Sequence, residues 1–183
     1  MANILLLHSS VYGHTVKVSE FIRDELTSRG DHVEVRPLAQ GAIGATLFDA
    51  IVIGSSIRYG KHHLEVLEFV RRHADLFRFM PSAFFSVSLV ARKANRATPA
   101  TNQYVKKFFT QTVWRPTLVA VFAGKLDYPR YQWLDRQMIR FIMWMTKGPT
   151  DPTSIVEYTD WDKVREFAHS VSVLAARAQA ASR

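Results

Sequence analysis

The stretch NILLLHSSVYGHT, residues 3–15, decides the fold because it joins a strand to a helix through a short polar loop. Its apolar part, residues 4–7, is typical of a buried strand, and small hydroxyl-bearing residues follow it. Gly13 lets the backbone approach an anion closely, and hydroxyls and unpaired N–H groups at a helix start can donate to phosphate oxygens. The stretch therefore predicts a phosphate-binding loop, with an ordinary strand-to-helix turn as the alternative.

Strand and helix patterns alternate along the rest of the chain. Apolar runs predict strands, and apolar faces with a period of about 3.6 residues predict helices. The predicted elements are a helix over 16–28, strands over 32–37 and 50–57, a helix around 66–77, a strand over 83–88, a helix over 103–112, a strand over 118–124 and a helix around 164–171, with a connection or weak helix at 38–48. This alternation indicates an α/β fold with a parallel sheet and helices on both faces.

The composition narrows the chemistry that the chain can perform. Its 183 residues suit a single domain whose core needs no disulfide or metal. The sequence has no cysteine, which excludes disulfides, thiolate-bound iron–sulfur clusters and dithiol redox chemistry. Electron transfer would therefore need an organic cofactor or a metal without thiolate ligands. No secretory signal precedes the first strand, so the expected location is the cytoplasm.

The charge balance points to an anionic partner. A formal net charge of +8 favours nucleic acid, an anionic membrane surface or a polycarboxylate ligand, and charge alone does not choose among them. Helix-turn-helix, RNP and zinc-binding patterns are absent, so we expect no nucleic-acid partner. No run of about 20 apolar residues occurs, and no single helix is expected to span a bilayer.

Three loops are expected to meet at the carboxyl edge of the sheet, at residues 9–15, 55–62 and 88–93, where ligands of such sheets bind. The first loop lacks the three glycines of a dinucleotide-binding fingerprint and the G-K-[ST] of a Walker loop. It also lacks the acidic pair of a receiver domain. A ligand with a single phosphate suits it better, and the spacing Ser10-x-x-Gly13-x-Thr15 resembles the phosphate loop of flavodoxin-like proteins, which holds FMN.

The flavodoxin-like resemblance implies a doubly wound five-stranded parallel sheet with the strand order 2-1-3-4-5. We expect a single FMN-binding domain over residues 1–183, with a long helical insertion at 125–154 after the fifth strand. No metal site is predicted. The residues expected to bind FMN are Ser9, Ser10, Val11, Tyr12, Gly13, His14, Thr15, Ser55, Ser56, Ile57, Arg58, Tyr59, Gly60, Ser88, Leu89, Val90, Ala91 and Arg92.

The insertion interrupts the alternation of strands and helices. Residues 155–159 are expected to resume the split last strand, in an arrangement that resembles the long-chain class of flavodoxin folds. Within the insertion, residues 133–147 predict a helix with a basic stripe on one side and apolar residues on the other. Such a helix suits a membrane interface, and the alternative is a core helix whose basic side chains face water. The membrane-facing candidates are Trp133, Arg136, Arg140, Trp144 and Lys147.

Longer segments carry a narrower resemblance. They are SSIRYGKHH (55–63), MPSAFFSVSLVARK (80–93), TNQYVKKF (101–108), WRP (114–116), AGKLDYPRYQWLDRQMI (123–139) and YTDW (158–161). These segments resemble the quinone-dependent protoporphyrinogen IX dehydrogenases of the flavodoxin-like type. The resemblance implies an FMN enzyme of haem biosynthesis that oxidises protoporphyrinogen IX and passes electrons to menaquinone or ubiquinone. It also implies a protein bound peripherally to the cytoplasmic face of the inner membrane.

A substrate with carboxylates and a large apolar macrocycle would need basic and aromatic partners. The candidates for substrate binding are Arg92, Lys93, Arg96, Tyr128, Arg130 and Tyr131, and for each basic residue the alternative is a solvated surface charge. Four histidines could carry protons, namely His8, His14, His62 and His63, but no catalytic acid or base is assigned. A flavodoxin-type electron carrier or an FMN-dependent quinone reductase is the alternative function, and a homo-oligomer is left open.

Overall fold

The computed structural model describes residues 1–41 and 48–181, which form a sheet with helices on both faces. The strands are β1 (Asn3–Ser9), β2 (His32–Pro37), β3 (Ala50–Arg58), β4 (Lys61–His62), β5 (Ser82–Ser88), β6 (Leu118–Ala123), β7 (Lys125–Asp127) and β8 (Ile155–Glu157). The helices are α1 (His14–Ser28), α2 (Leu64–Arg72), α3 (Gln103–Thr110), α4 (Trp133–Met145) and α5 (Trp161–Ala181). Of the predicted connection at 38–48, Leu38–Gln40 forms one 3-10 turn, and residues 42–47 lie outside the described residues.

Five strands pair in parallel in the order β2-β1-β3-β5-β6. The short strand β4 only folds back on the end of β3, so the predicted order of five parallel strands is confirmed. The strand order reverses direction between β1 and β3, where Ile4 lies beside Ala50 and Ser9 beside Ser55. In a doubly wound sheet this reversal opens a crevice beyond the carboxyl ends of the strands.

Both faces of the sheet are buried, which explains why the central strands are continuously apolar. On one face, Leu6 and Val52 pack with Phe85 against α1 and α5. On the other face, Leu5 and Ile53 pack with Phe84 against α2 and α3. Successive residues of a strand point to opposite faces, so a single apolar run supplies both layers of the core.

The insertion forms a small unit of its own. Strand β8 runs antiparallel to β7 in a two-stranded ribbon separate from the main sheet. The prediction that residues 155–159 resume the last parallel strand is therefore wrong. The chain passes from β6 through Gly124 directly into β7, and the insertion then returns it in the opposite direction.

Helix α4 differs from both predicted orientations, in which its basic residues face either a membrane surface or water. Its arginines instead face the backbone of the insertion. The guanidinium of Arg136 donates to the carbonyls of Tyr128 and Tyr131, and that of Arg140 donates to the carbonyl of Thr150. The irregular backbone of the insertion needs such donors, and the basic stripe supplies them. The outward face is apolar, and its exposed large side chains are Trp133, Leu134, Phe141, Trp144 and Met145. None of the helices in residues 1–41 and 48–181 has the length and apolar character to cross a membrane.

Gly54 provides a test of the packing in the sheet. A Cβ added there would lie 2.1 Å from the ring atom Cζ of Phe85, its neighbour on β5. Because Phe85 is buried against Phe122 and Phe167, its ring has nowhere to move. Gly54→Ala should therefore lower the free energy of unfolding by about 2 kcal/mol or more, measured by chemical denaturation.

Gly124→Ala is the matched control, because a Cβ at Gly124 would have its nearest neighbour at an ordinary contact distance of 3.5 Å. It should leave the free energy of unfolding within about 0.5 kcal/mol of the wild-type value. Equal stability of Gly54→Ala and wild type would contradict the packing described for this face.

Candidate functional site

A cavity of about 400 Å³ lies at the carboxyl edge of the sheet, between the three predicted loops and α4. The sequence-predicted residues that line it are Ser10, Val11, Tyr12, His14, Thr15, Ser56, Ile57, Arg58, Tyr59, Gly60, Ser88, Leu89 and Val90. Helix α4 adds an apolar wall through Met138, Ile139 and Ile142. The convergence follows from the parallel sheet, since every strand delivers its loop to the same edge.

The first loop has the geometry of an anion site. Gly13 adopts a left-handed conformation with φ of +83°, and its N–H donates to Ser10 Oγ over 3.1 Å. Helix α1 begins at the next residue with no acidic side chain in its first turn. The hydroxyl of Thr15 lies on the cavity wall, is buried, and has no hydrogen-bond partner among the described residues. Free N–H groups, a helix N-terminus and this hydroxyl together favour a phosphate.

The other predicted cofactor residues support the loops from behind the cavity wall. The hydroxyl of Ser9 donates to Glu65 Oε1 of α2, and the hydroxyl of Ser55 donates to the carbonyl of Ser56. Arg92 Nη2 donates to Thr146 Oγ1 over 2.7 Å and thereby joins the third loop to the end of α4. Gly13, Ser9, Ser55, Ala91 and Arg92 do not form part of the cavity wall.

The insertion is fastened over the cavity by the Asp135 clamp, which consists of Asp135, Tyr12, Arg58 and Tyr59. Arg58 Nη2 donates to Asp135 Oδ2 over 3.0 Å, and Tyr59 Oη donates to Oδ1 over 2.5 Å. Tyr12 Oη donates to Oδ2 as well. Asp135 is only 3% exposed although α4 is a surface helix. The clamp thus connects α4 to the loops that follow β1 and β3.

The electrostatics of the clamp favour an ionised carboxylate. Burial by itself raises the pKa of Asp135, but hydrogen bonds from Tyr12 and Tyr59 and the charge of Arg58 outweigh that cost. Together they hold the pKa of Asp135 below its ordinary value. Sequence reasoning did not select Asp135, and the available signal was an isolated acid in a helix that is otherwise basic and apolar.

The three substrate-binding candidates in the insertion, Tyr128, Arg130 and Tyr131, lie in different environments. Tyr128 is fully buried, and its hydroxyl donates to the carbonyl of Pro149. Tyr131 lies on the cavity wall, its hydroxyl donates to the carbonyl of Lys125, and burial raises its pKa to about 12. Both tyrosines belong to the core of the insertion. Arg130 is exposed, and its guanidinium lies beside Gly13 of the first loop.

The pKa values of the four candidate histidines are lowered by burial. The pKa of His62 is lowered furthest, to about 3. The ring of His62 contacts Phe84 and Phe108 and lies 2.9 Å from Ser86 Oγ, so it belongs to the core. Burial also lowers the pKa values of His8, His14 and His63. Proton transfer by a charged histidine at neutral pH is therefore disfavoured at these positions.

Replacing Asp135 with Asn tests the clamp. The variant keeps the shape of the side chain but loses its charge, so the free energy of unfolding should fall by about 1–2 kcal/mol at neutral pH, measured by chemical denaturation. A depressed folded-state pKa adds stability above the ordinary aspartate pKa, and this stability is lost as the pH falls through the folded-state value. The variant and wild type should therefore converge in stability in acid.

Asp24→Asn is the control for the clamp experiment, because it removes an exposed carboxylate that pairs with the neighbouring Arg23. It should change the free energy of unfolding by less than about 0.5 kcal/mol. If the free energies of unfolding of Asp135→Asn and wild type differed by the same amount in acid as at neutral pH, the result would count against an ionised Asp135.

Comparison with known proteins identifies the family to which this chain belongs. The model of the flavodoxin domain matches residues 5–153. The curated protein of Escherichia coli K12 called protoporphyrinogen IX dehydrogenase [quinone] is 44% identical over 171 residues, which cover 93% of this chain and 94% of that protein. A Leishmania major protein of the same name is 41% identical over 174 residues and is covered to 74% of its length.

Solved structures agree on the fold. An archaeal flavodoxin has a TM-score of 0.52 with 16% identity and covers 95% of this chain and 99% of its own. Rubredoxin oxygen:oxidoreductase from Desulfovibrio gigas has a TM-score of 0.53 with 10% identity and covers 97% of this chain and 37% of its own. From the family match and the high identity over nearly the full length, the chain belongs to the flavodoxin-fold protoporphyrinogen IX dehydrogenase [quinone] family.

Proposed function

We propose that this chain oxidises protoporphyrinogen IX to protoporphyrin IX in haem biosynthesis, with FMN as its cofactor and a quinone as electron acceptor. The observation that carries the proposal is the full-length similarity to relatives named for this activity, together with a cavity at the edge where a flavodoxin sheet binds its ligand.

The residues of the cavity fit FMN. Two buried hydroxyls on its wall, those of Thr15 and Ser88, have no hydrogen-bond partner in the described part of the chain. Buried polar groups are normally paired, so these two are available to a bound ligand. The first loop would hold the phosphate, and the second and third loops would flank the ring system. When bound, FMN would supply the redox chemistry, while the protein supplies binding, orientation and electrostatics.

The chain itself provides enclosure and charge. The apolar wall of α4 excludes water from one side of the cavity, and the Asp135 clamp holds that wall in place. Lys93 ends the third loop and Arg96 lies in the 3-10 turn that follows it, and their side chains make no hydrogen bond or ion pair within the described residues. We infer that they attract the carboxylates of the substrate, whereas Arg92 braces the third loop against α4.

Anaerobic turnover tests the proposed activity. Purified protein loaded with FMN should convert protoporphyrinogen IX to fluorescent protoporphyrin IX when a quinone is present, and the rate should follow the quinone concentration. The same protein stripped of FMN is the control and should show only the uncatalysed rate. Absence of turnover in the loaded protein, with quinone reduced instead at the expense of a nicotinamide cofactor, would favour the quinone reductase alternative.

The outward face of α4 supports a further part of the proposal, peripheral binding to an anionic membrane at the cytoplasmic face. Phe141 and Trp144 lie in contact on this face and are 56% and 69% exposed. Lys147 is exposed at the end of the helix, and the chain carries a net charge of +8. An apolar helix face on a basic protein suits the interface of a bilayer with anionic lipids.

Vesicle flotation tests membrane binding. Phe141→Glu combined with Trp144→Glu should weaken binding to vesicles that contain anionic lipid by about ten-fold or more, because two apolar anchors are lost. Phe79→Glu combined with Val113→Glu is the matched control, since these side chains are even more exposed but precede β5 and β6 at the opposite edge of the sheet. Equal loss in both double variants would contradict a docking face on α4.

A further inference from the structure

Arg130 reaches from the insertion to the phosphate loop. It ends the 3-10 turn Tyr128–Arg130 that leads into α4. Its two terminal nitrogens lie 3.7 and 3.9 Å from the position that a Cβ on Gly13 would occupy. A side chain from the insertion therefore lies directly over the glycine of the first loop.

This guanidinium makes no hydrogen bond or ion pair within the described residues. Three other basic residues of α1 and the insertion are engaged. Lys17 of α1 pairs with Glu157, Lys125 pairs with Asp127, and Arg136 donates to backbone carbonyls. Arg130 thus presents five donors over the loop with no acceptor for them in the described part of the chain.

The loop beneath it is arranged for an anion. It combines the left-handed Gly13, the N-terminus of the 15-residue α1 and the buried, unpartnered hydroxyl of Thr15. The ring of its own histidine, His14, contacts the hydroxyl of Thr159, and burial lowers the pKa of this histidine and so disfavours its charged form. The cationic group that faces the loop comes from the insertion.

We propose that Arg130 binds the phosphate of FMN, so that the insertion completes the cofactor site. This inference rests on the proposed FMN cofactor and assigns Arg130 to the cofactor rather than to the carboxylates of the substrate. A guanidinium can donate two parallel hydrogen bonds to a phosphate, and such charge-assisted bonds are strong. The arginine therefore selects the phosphorylated flavin over riboflavin, which lacks the anion.

Flavin titration separates this role from a structural one. The full chain, stripped of flavin, is titrated with FMN and with riboflavin, and the quenching of flavin fluorescence gives both dissociation constants. Arg130→Gln should weaken FMN binding by about ten-fold or more and leave riboflavin binding unchanged. It should also reduce the dependence of FMN affinity on ionic strength. Arg130→Lys should recover part of the FMN affinity, because the charge is kept.

Arg29→Gln is the matched control. It removes the same charge from an exposed position at the other end of α1, about 24 Å from Gly13. It should leave both dissociation constants unchanged. Unchanged FMN affinity in Arg130→Gln, or an equal loss for FMN and riboflavin, would overturn the inference. If the wild-type chain bound neither flavin, the proposed function itself would fail.

Discussion

A buried carboxylate joins the insertion to the sheet, and the shape of the site depends on it. Asp135 belongs to α4, whereas Tyr12 and Tyr59 belong to the loops that follow β1 and β3, and Arg58 is the last residue of β3. A charge taken out of water is tolerated only when it is paired and hydrogen-bonded. The hydrogen bonds and the ion pair of Asp135 are complete only while α4 lies against the two loops. The interaction that offsets the cost of burying this charge therefore also closes the cavity.

Some basic residues of the insertion bond to its own backbone, and others are exposed. Arg136 and Arg140 satisfy carbonyls of irregular backbone, and the buried tyrosines Tyr128 and Tyr131 fill the space behind them. These contacts make the insertion a packed unit with its own small core. Arg130 makes no hydrogen bond or ion pair within the described residues, and its guanidinium lies beside Gly13 of the first loop.

The sequence allowed the sheet and the three loops to be predicted because both depend on local patterns. Continuous apolar runs mark buried parallel strands, and their loops meet at one edge whatever the side-chain details. The same reasoning gave the wrong pairing for residues 155–159, since a short apolar run does not reveal the direction of its partner. Asp135 escaped prediction because its partners lie 76 to 123 residues away along the chain.

The orientation of α4 could not be predicted from its own pattern either. A helical wheel places the apolar arc inward by default, because burial of apolar surface is the dominant driving force. Here the irregular backbone at Tyr128–Arg130 needs hydrogen-bond donors, and the basic stripe provides them from the inner side. The helix is amphipathic, but its basic stripe faces the backbone of the insertion, and its apolar residues divide between the cavity wall and the outward face.

This orientation places two different apolar surfaces on one helix of 13 residues. Met138 and Ile142 face the cavity, whereas Phe141 and Trp144 face outward. A helix is about 10 Å across, so the cavity wall and the outer face are separated by the diameter of one helix. An apolar electron acceptor held in a bilayer against the outer face would therefore stand about one helix diameter from the cavity. The Asp135 clamp holds the first turn of this helix against Tyr12, Arg58 and Tyr59, and it thereby fixes where both apolar surfaces stand relative to the sheet.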